Sequence, residues 1–350
     1  MFICLSSGAR PRYRQDIIRA IAMPNGASLQ FRYDSKWIAP KIREMIAKGE
    51  EANKSVLIAY IDQADKTKIP ELIPCRFAKL AKATSHGTTV SLTLILADFG
   101  YAEDLSAFNT EMQSASAGTL PKWNESKSIT GFYWLEIGEE PKNIVRSLTL
   151  EPWENIVAQL AGRADFGSET CFYVVDGFYN LASKAQISHT AGFYNLSPDQ
   201  EYEIRLYHFH PKEPAGESWL RIDTVNELLK VTTNPLLSID SRYDMKHVGL
   251  KTGRPSKQEN TVLSLYRAKG GQPETPGVLD FDLSCRIEGT FWATLRYGAI
   301  LGALLAGPQI VAALSNPNLP STNVVAICIV ASILGLGAGI FAAFGLKKSV

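Results

Sequence analysis

Two long uncharged apolar segments near the C-terminus constrain what this chain can fold into more than anything else in its sequence. Tyr297 to Leu314 runs 18 residues and Val324 to Leu346 runs 23 residues without an Asp, Glu, Lys or Arg. A helix needs about 20 predominantly apolar residues to cross a hydrocarbon core ~30 Å thick. Helix is the form expected of such a segment, because lipid satisfies no backbone polar group. The residues between the two runs include Asn316, Pro317, Asn318, Pro320 and Asn323, a turn composition. The competing reading, a pair of buried helices in a globular core, fits poorly with runs bounded by turn residues and by Lys347 and Lys348. The expectation is a two-helix transmembrane hairpin over 291–350. Pro308 inside the first run predicts a kink, since proline removes a backbone donor. Phe291, Trp292 and Tyr297 around Arg296 extend that run as an interfacial aromatic belt.

Flanking charge sets the expected orientation. Arg286 and Arg296 precede the first run, Lys347 and Lys348 close the second, and the connecting loop holds no Lys or Arg. The positive-inside tendency then places the soluble region and the C-terminus in the cytoplasm, with the protein in the cytoplasmic membrane. Met1 to Leu5 is too short an apolar run, without a basic leader, to read as a secretory signal. The unpaired spacing of Cys4, Cys75, Cys171, Cys285 and Cys328 suits a reducing compartment. Small residues recur at helical spacing, Gly298 and Gly302 in the first run and Ala331, Gly335 and Gly339 in the second. Such stripes let helix backbones approach closely, within the hairpin or between subunits, so a homo-oligomer in contact with membrane lipid is expected. Gly and Ala are also simply common in membrane helices. The absence of an ionisable residue deep in either run argues against a polar-lined ion pathway within one hairpin.

The remaining 290 residues suffice for two domains. The formal net charge of +1 conceals an asymmetry: residues 1–100 hold 15 Lys and Arg against 9 Asp and Glu, and residues 101–290 hold 18 against 26. The cations are densest near the N-terminus. Arg10, Arg12, Arg14, Arg19, Arg32 and Lys36 are the candidate anion- or ligand-binding residues, toward a protein, nucleic-acid or nucleotide partner. A solvated basic face, or docking onto the acidic half of the same chain, is the plainer account of the same residues. The polar stretch from Ser114 to Lys127 reads as a linker. The expected architecture is therefore α+β and mostly β: a mixed basic domain over 1–113, a linker over 114–127, a sandwich-like domain over 128–290, and the hairpin.

Within the first part, Leu29, Phe31 and Tyr33 alternate with polar residues as in a half-buried strand, and Ala39 to Lys48 has helical spacing. Ser55 to Ile61 is an apolar run fit for a strand covered on both faces. Cys75 to Thr84 and Thr88 to Leu96 flank Gly87 as a hairpin, and Glu103 to Met112 reads as a helix. Further on, 131–137, 171–175, 202–210, 219–222, 230–233, 261–266 and 278–287 have strand composition, interrupted by a helix over Pro152 to Ala161. Many short strands separated by turn signals argue for a sandwich or barrel. Leu196, Pro198 and Tyr202 stand in an L-x-P-x-x-x-Y turn that resembles the one leading into a late strand of fibronectin type III-like domains. The resemblance covers nine residues and implies a tyrosine corner, in which the Tyr202 hydroxyl bonds to the preceding backbone.

Chemistry is harder to find. His208 and His210 fall on one side of a strand, a geometry compatible with a metal, yet no spaced Cys or His completes a ligand set. No nucleophile elbow, phosphate-cradling loop, zinc-protease or dinucleotide fingerprint is present. No resident cofactor, metal or catalytic residue is therefore expected. The favoured expectation is a non-enzymatic sensor/effector whose cytosolic recognition region controls the hairpin. Its layout is that of a membrane-perturbing effector of a prokaryotic antiviral defence system. A passive membrane tether and a membrane-attached enzyme with a dispersed site are the alternatives.

Overall fold

A strand buried at every position needs cover on both faces, and the chain begins with one. In the computed structural model, which describes residues 1–7, 11–50, 52–166, 172–190, 192–211, 218–269 and 278–290 together with 307, 308, 311, 314, 315, 329 and 330, Phe2–Ser7 forms β1. After it come α1 (Pro11–Ala22), β2 (Ser28–Asp34), a 3-10 turn (Ser35–Trp37), α2 (Pro40–Lys48) and β3 (Ser55–Asp62). The long hairpin β4 (Glu71–His86) and β5 (Thr89–Tyr101) turns at Gly87, whose φ of 61° lies in the left-handed region that glycine favours. Next are α3 (Leu105–Ala115), β6 (Lys122–Trp123), β7 (Ile129–Thr130), β8 (Trp134–Glu136), β9 (Val145–Ser147) and α4 (Leu150–Ala161).

The first sheet runs β2-β5-β4-β3-β1-β8, with β9 added to β5. β1 and β3 pair in parallel and the other pairings are antiparallel. The two parallel strands read as continuous apolar runs because both of their faces are covered. At the edge, β2 alternates exposed and buried, with Leu29, Phe31 and Tyr33 inward. The expected helix over 39–48 is α2, closed by Gly49 at φ 70°. The expected helix over 103–112 is α3, capped by the Asp104 carboxylate accepting from the Ser106 and Ala107 amides.

The second body is a sandwich. It contains β10 (Tyr173–Asn180), β11 (Gln186–Ile187), β12 (His189–Thr190), β13 (Phe193–Leu196), β14 (Glu201–Phe209) and β15 (Ser218–Thr224). It continues through β16 (Leu229–Val231), β17 (Leu236–Ile239), β18 (Tyr243–Thr252), β19 (Glu259–Lys269) and β20 (Val278–Ile287). One sheet is ordered β11-β10-β14-β18-β16 and the other β12-β13-β20-β19-β15-β17. Phe178, Tyr202, Ile204, Leu206, Val248 and Leu250 come from the first sheet. Tyr194, Leu196, Leu220, Ile222, Leu263 and Leu283 come from the second, and all twelve are buried. The Phe178 and Tyr194 rings stack across the two sheets at 4.2 Å. The Ser197 amide donates to the Tyr202 hydroxyl at 2.8 Å, so this residue makes the bond of a tyrosine corner.

The division between the bodies falls later than the polar stretch at 114–127. After that stretch the chain returns to the first sheet twice: β8 pairs with β1, and β9 pairs with β5. Then α4 packs on β4 and β5 and its Trp153 indole donates to the Ile21 carbonyl at 2.9 Å. The sandwich begins with β10. Strand composition at 134–136 was legible, but its partner lies more than 130 residues away in sequence, which local pattern does not reveal. Among the described residues no helix is long and apolar enough to cross a membrane. Apart from the seven positions named above, the expected hairpin over 291–350, and with it Gly298, Gly302, Ala331, Gly335 and Gly339, lies outside the described residues.

One buried cation ties the first layer together. Arg76 on β4 is 1% exposed and donates to the Ala20 and Met23 carbonyls at the end of α1, and to the Ala97 carbonyl at 2.8 Å. Its guanidinium lies 4.3 Å from the Phe99 ring centroid. Burial pushes its pKa down to about 9, which leaves it charged at neutral pH beside the negative end of the helix. Replacing Arg76 with Met takes the donor from three carbonyls, two of them buried. The expected loss is roughly 3 kcal/mol, read as a fall of about 6–12 °C in the melting temperature of the full chain.

Candidate ligand site

The cationic candidates sort themselves by their position on α1 and β2. Ile17, Ile18 and Ile21 turn the apolar face of α1 to the sheet, and Pro11 opens the helix where its missing amide proton is not needed. That leaves Arg12, Asp16 and Arg19 on one stripe at helical spacing. They line a groove of about 320 Å3 whose other walls are Ser28, Gln30 and Arg32 of β2 and Leu279, Phe281 and Asp282 of β20. Arg12 and Arg32 extend into an adjoining groove of about 250 Å3 with Tyr13, Tyr33, Asp34 and Thr89. Tyr13, Tyr33 and Asp34 are shared in turn with a slot of about 200 Å3. That slot is otherwise lined mainly by Trp37, Tyr133, Lys36 and the two serines that end β1, Ser6 and Ser7. The three depressions are neighbours through these shared lining residues.

Of the sequence candidates, Arg12, Arg19 and Arg32 converge on the groove. Arg32 donates to Gln30 at 3.1 Å and Arg12 is exposed. Arg19 is partly committed, 3.8 Å from Asp16 and donating to the Asp280 carbonyl. Lys36 stands at the rim of the slot, its ammonium 5.0 Å from the Trp37 ring centroid. Arg14 is drawn elsewhere, donating to the Asp165 carbonyl at 2.9 Å. Arg10 lies outside the described residues.

Asp16 is the electrostatic centre of the groove. Its side chain is 6% exposed, and burial pushes its pKa up to about 6 against the pull of Arg19, Arg12 and Arg32. Behind it, Asp280 is fully buried and binds both bodies. Its carboxylate accepts from Gln15 Nε2 of α1 at 2.5 Å, from the Tyr173 hydroxyl of β10 at 2.8 Å, and from Arg267 Nε of β19 at 2.9 Å. Arg267 also donates to Gln15 Oε1 at 3.2 Å.

Other chemistry-bearing groups are structurally committed. The His208 Nε2 lies 3.2 Å from the Ser241 carbonyl, and burial lowers its pKa, so it is a neutral core residue. His210 stacks on Phe172 at 5.7 Å. No cluster of three His, Cys, Asp or Glu side chains able to hold a metal occurs among the described residues. Cys75 and Cys285 are buried thiols pushed up to about 12, and Cys4 is pushed higher still, which suppresses the thiolate. A cleft of about 490 Å3 beside α3 is lined by charges that are already paired: Arg163 bridges Asp62 at 3.4 Å and Glu71 at 2.5 Å. Sequence reasoning missed the aromatic slot. Tyr33 read as an inward strand residue and Tyr133 as part of a strand. The fold brings them together with Tyr13 and Trp37.

No protein-family model matches the chain, and no curated protein matches it. Among solved structures, part of the chain is similar to SSP-19, an MSP-domain protein-like family member of Caenorhabditis elegans. That match has 10% identity, covers 27% of this chain and 91% of the other, and has a TM-score of 0.20. A class 5 fimbriae chaperone, CfaA, matches at 14% identity over 28% of this chain and 52% of its own, TM-score 0.20. A secreted serine protease of Vibrio cholerae, VesC, matches at 8% identity over 78% and 72%, TM-score 0.19. Likenesses at these TM-scores define neither fold nor function.

The raised pKa of Asp16 has a signed consequence. A carboxyl whose folded pKa lies above its unfolded value takes up a proton more readily when folded, so its ionisation destabilises the fold above about pH 6. Its contribution therefore improves as pH falls from 7 through 6 and levels off near 4, where the unfolded carboxyl is also protonated. Asp16→Asn should raise the melting temperature at pH 7.5 and remove that component of the pH dependence between 6 and 4, as read by thermal scans across a pH series.

Proposed function

We propose that this chain is a membrane-anchored, non-enzymatic sensor/effector in which the β-rich region recognises a ligand and controls a C-terminal transmembrane hairpin over 291–350. The soluble region and the C-terminus face the cytoplasm, and the hairpins associate between copies of the chain through the stripes at Gly298, Gly302, Ala331, Gly335 and Gly339. The activity in this reading is regulated perturbation of the cytoplasmic membrane, the layout of an effector in a prokaryotic antiviral defence system.

One observation carries the reading. The last strand before the apolar segments, β20, is itself a wall of the arginine groove through Leu279, Phe281 and Asp282. Asp280 of the same strand holds α1, the helix that supplies Arg12 and Arg19. Arg12 and Arg32 line that groove together with β20, so an anion held on them reaches a groove walled by both the recognising helix and the strand that precedes 291–350. The uncharged runs of 18 and 23 residues, with Arg296 before them and Lys347 and Lys348 after, support the membrane part. Any conducting structure needs several copies, because one hairpin encloses no pore.

The full chain should pellet with membranes after ultracentrifugation of lysed cells and resist extraction by carbonate. Its expression should depolarise cells or release dye from loaded vesicles. Gly335→Leu combined with Gly339→Leu should abolish leakage while leaving the protein in the membrane fraction, since bulk on the stripe blocks close helix approach. A full chain found in the supernatant sinks the membrane part. Membranes that stay intact under every condition, with the protein in the pellet, assign a passive tether instead.

A further inference from the structure

We infer that the aromatic slot at the end of β1 and the adjoining arginine groove together form a single binding site for a nucleotide, with the base in the slot and the phosphate on Arg12 and Arg32. The inference rests on the reading of this region as a recognition module, and names its ligand class.

The slot has the walls a planar base needs. Tyr13, Tyr33, Trp37 and Tyr133 line it, with Trp37 and Tyr133 already edge to face at 5.6 Å. The open face of such a ring takes a flat heterocycle by stacking, a contact available to every base because each has a π-face. Ser6 and Ser7 supply polar atoms at the end of β1, and Lys36 supplies a cation at the rim. An unspent donor stands behind the wall. Gln63 is 7% exposed and its Oε1 accepts from the Tyr133 hydroxyl at 2.7 Å. Its buried Nε2 has no partner among the described residues.

The neighbouring groove has the groups that a phosphate and a sugar need. Arg12 and Arg32 come from different elements and both line it, so a phosphate between them meets two guanidinium forks. Asp34 is shared by slot and groove. A carboxylate at that position repels a bare anion but accepts hydrogen bonds from the hydroxyls of a ribose lying between base and phosphate. The sequence aromatic slot, carboxylate, arginine pair follows the sequence base, ribose, phosphate. Inorganic phosphate would use the arginines alone and leave the slot empty.

The test is isothermal titration calorimetry on the full chain in detergent, with AMP, GMP, UMP, adenosine and inorganic phosphate as probes. At least one mononucleotide should bind, and more tightly than either inorganic phosphate or the nucleoside. Arg12→Ala with Arg32→Ala should weaken that binding by about tenfold or more, as expected for two charge-assisted contacts, and the variant should stay folded because both side chains are exposed, with its melting temperature lowered only above about pH 6, where Asp16 loses two opposing charges. Trp37→Leu should weaken nucleotide and adenosine alike, by roughly five- to a hundredfold for a lost stacking wall. Lys79→Ala with Lys82→Ala removes two exposed cations of β4 that line neither the slot nor the grooves, and should leave affinity unchanged. Binding of inorganic phosphate as tight as that of every nucleotide overturns the inference. An equal loss in the β4 double variant, or no binding of any of the three mononucleotides, overturns it too. These measurements need no bilayer, so their failure is distinct from failure of the fractionation and leakage tests.

Discussion

The buried carboxylate of Asp280 is the contact on which the arrangement of the two bodies depends. A charge with no exposure is tolerable only when its lone pairs are filled. Here they are filled from three elements: Gln15 of α1, Tyr173 of β10 and Arg267 of β19. Tyr173 and Arg267 belong to the sandwich with Asp280 itself and Gln15 belongs to the α/β layer, so the set is complete only when the two have docked. Removing any partner leaves a buried charge short of a bond, which makes the docking closer to all-or-none than an apolar contact of similar area would be. Around it, α4 adds a second seam, with Trp153 edge to face on Tyr207 at 5.7 Å and the Tyr207 hydroxyl donating to Glu154 at 2.5 Å.

Between these seams α1 serves three surroundings at once. Its isoleucines fill the sheet, its C-terminal carbonyls are held by Arg76, and Gln15 and Arg19 reach the sandwich. The stripe of Arg12, Asp16 and Arg19 is what remains for a ligand. The groove is therefore a by-product of the docking: β2 and α1 supply two walls and β20 the third.

How much of this was legible depended on whether the information was local. The buried strand β3, the β4–β5 hairpin at Gly87, α2 with its glycine stop and the Tyr202 corner follow from patterns within about ten residues. The helix α1 did not stand out, because its arginines and tyrosine dominate the composition and its buried Ile17, Ile18 and Ile21 are few. The long strand β18 was also missed. Its first half is exposed, and only Val248, Leu250 and Thr252 alternate inward. The convergence of Arg12, Arg19 and Arg32 was half visible as a basic stretch. Its sorting, with Arg14 turned toward the Asp165 carbonyl and Lys36 onto Trp37, depends on helix phase and on a turn that composition does not encode. Asp280 read as one acidic strand residue among several, since its three donors come from 107 residues or more upstream and from 13 residues upstream.

Asp16 gives the groove a further property through linkage. Three guanidiniums, Arg19, Arg12 and Arg32, oppose the effect of burial and keep its pKa from rising beyond about 6. Asp282 shares the groove but accepts from the Ser264 hydroxyl at 2.6 Å, so part of its charge is spent on β19. An anion seated on Arg12 and Arg32 draws their field away from Asp16 and adds its own repulsion, and both effects favour the protonated carboxyl. Binding at the proposed site would then take up a proton, and by reciprocity a lower pH would tighten it. A groove with arginines alone would hold its anion with little regard to pH near neutrality. In the proposed site, one buried carboxylate placed among them would make occupancy depend on proton activity as well as on ligand.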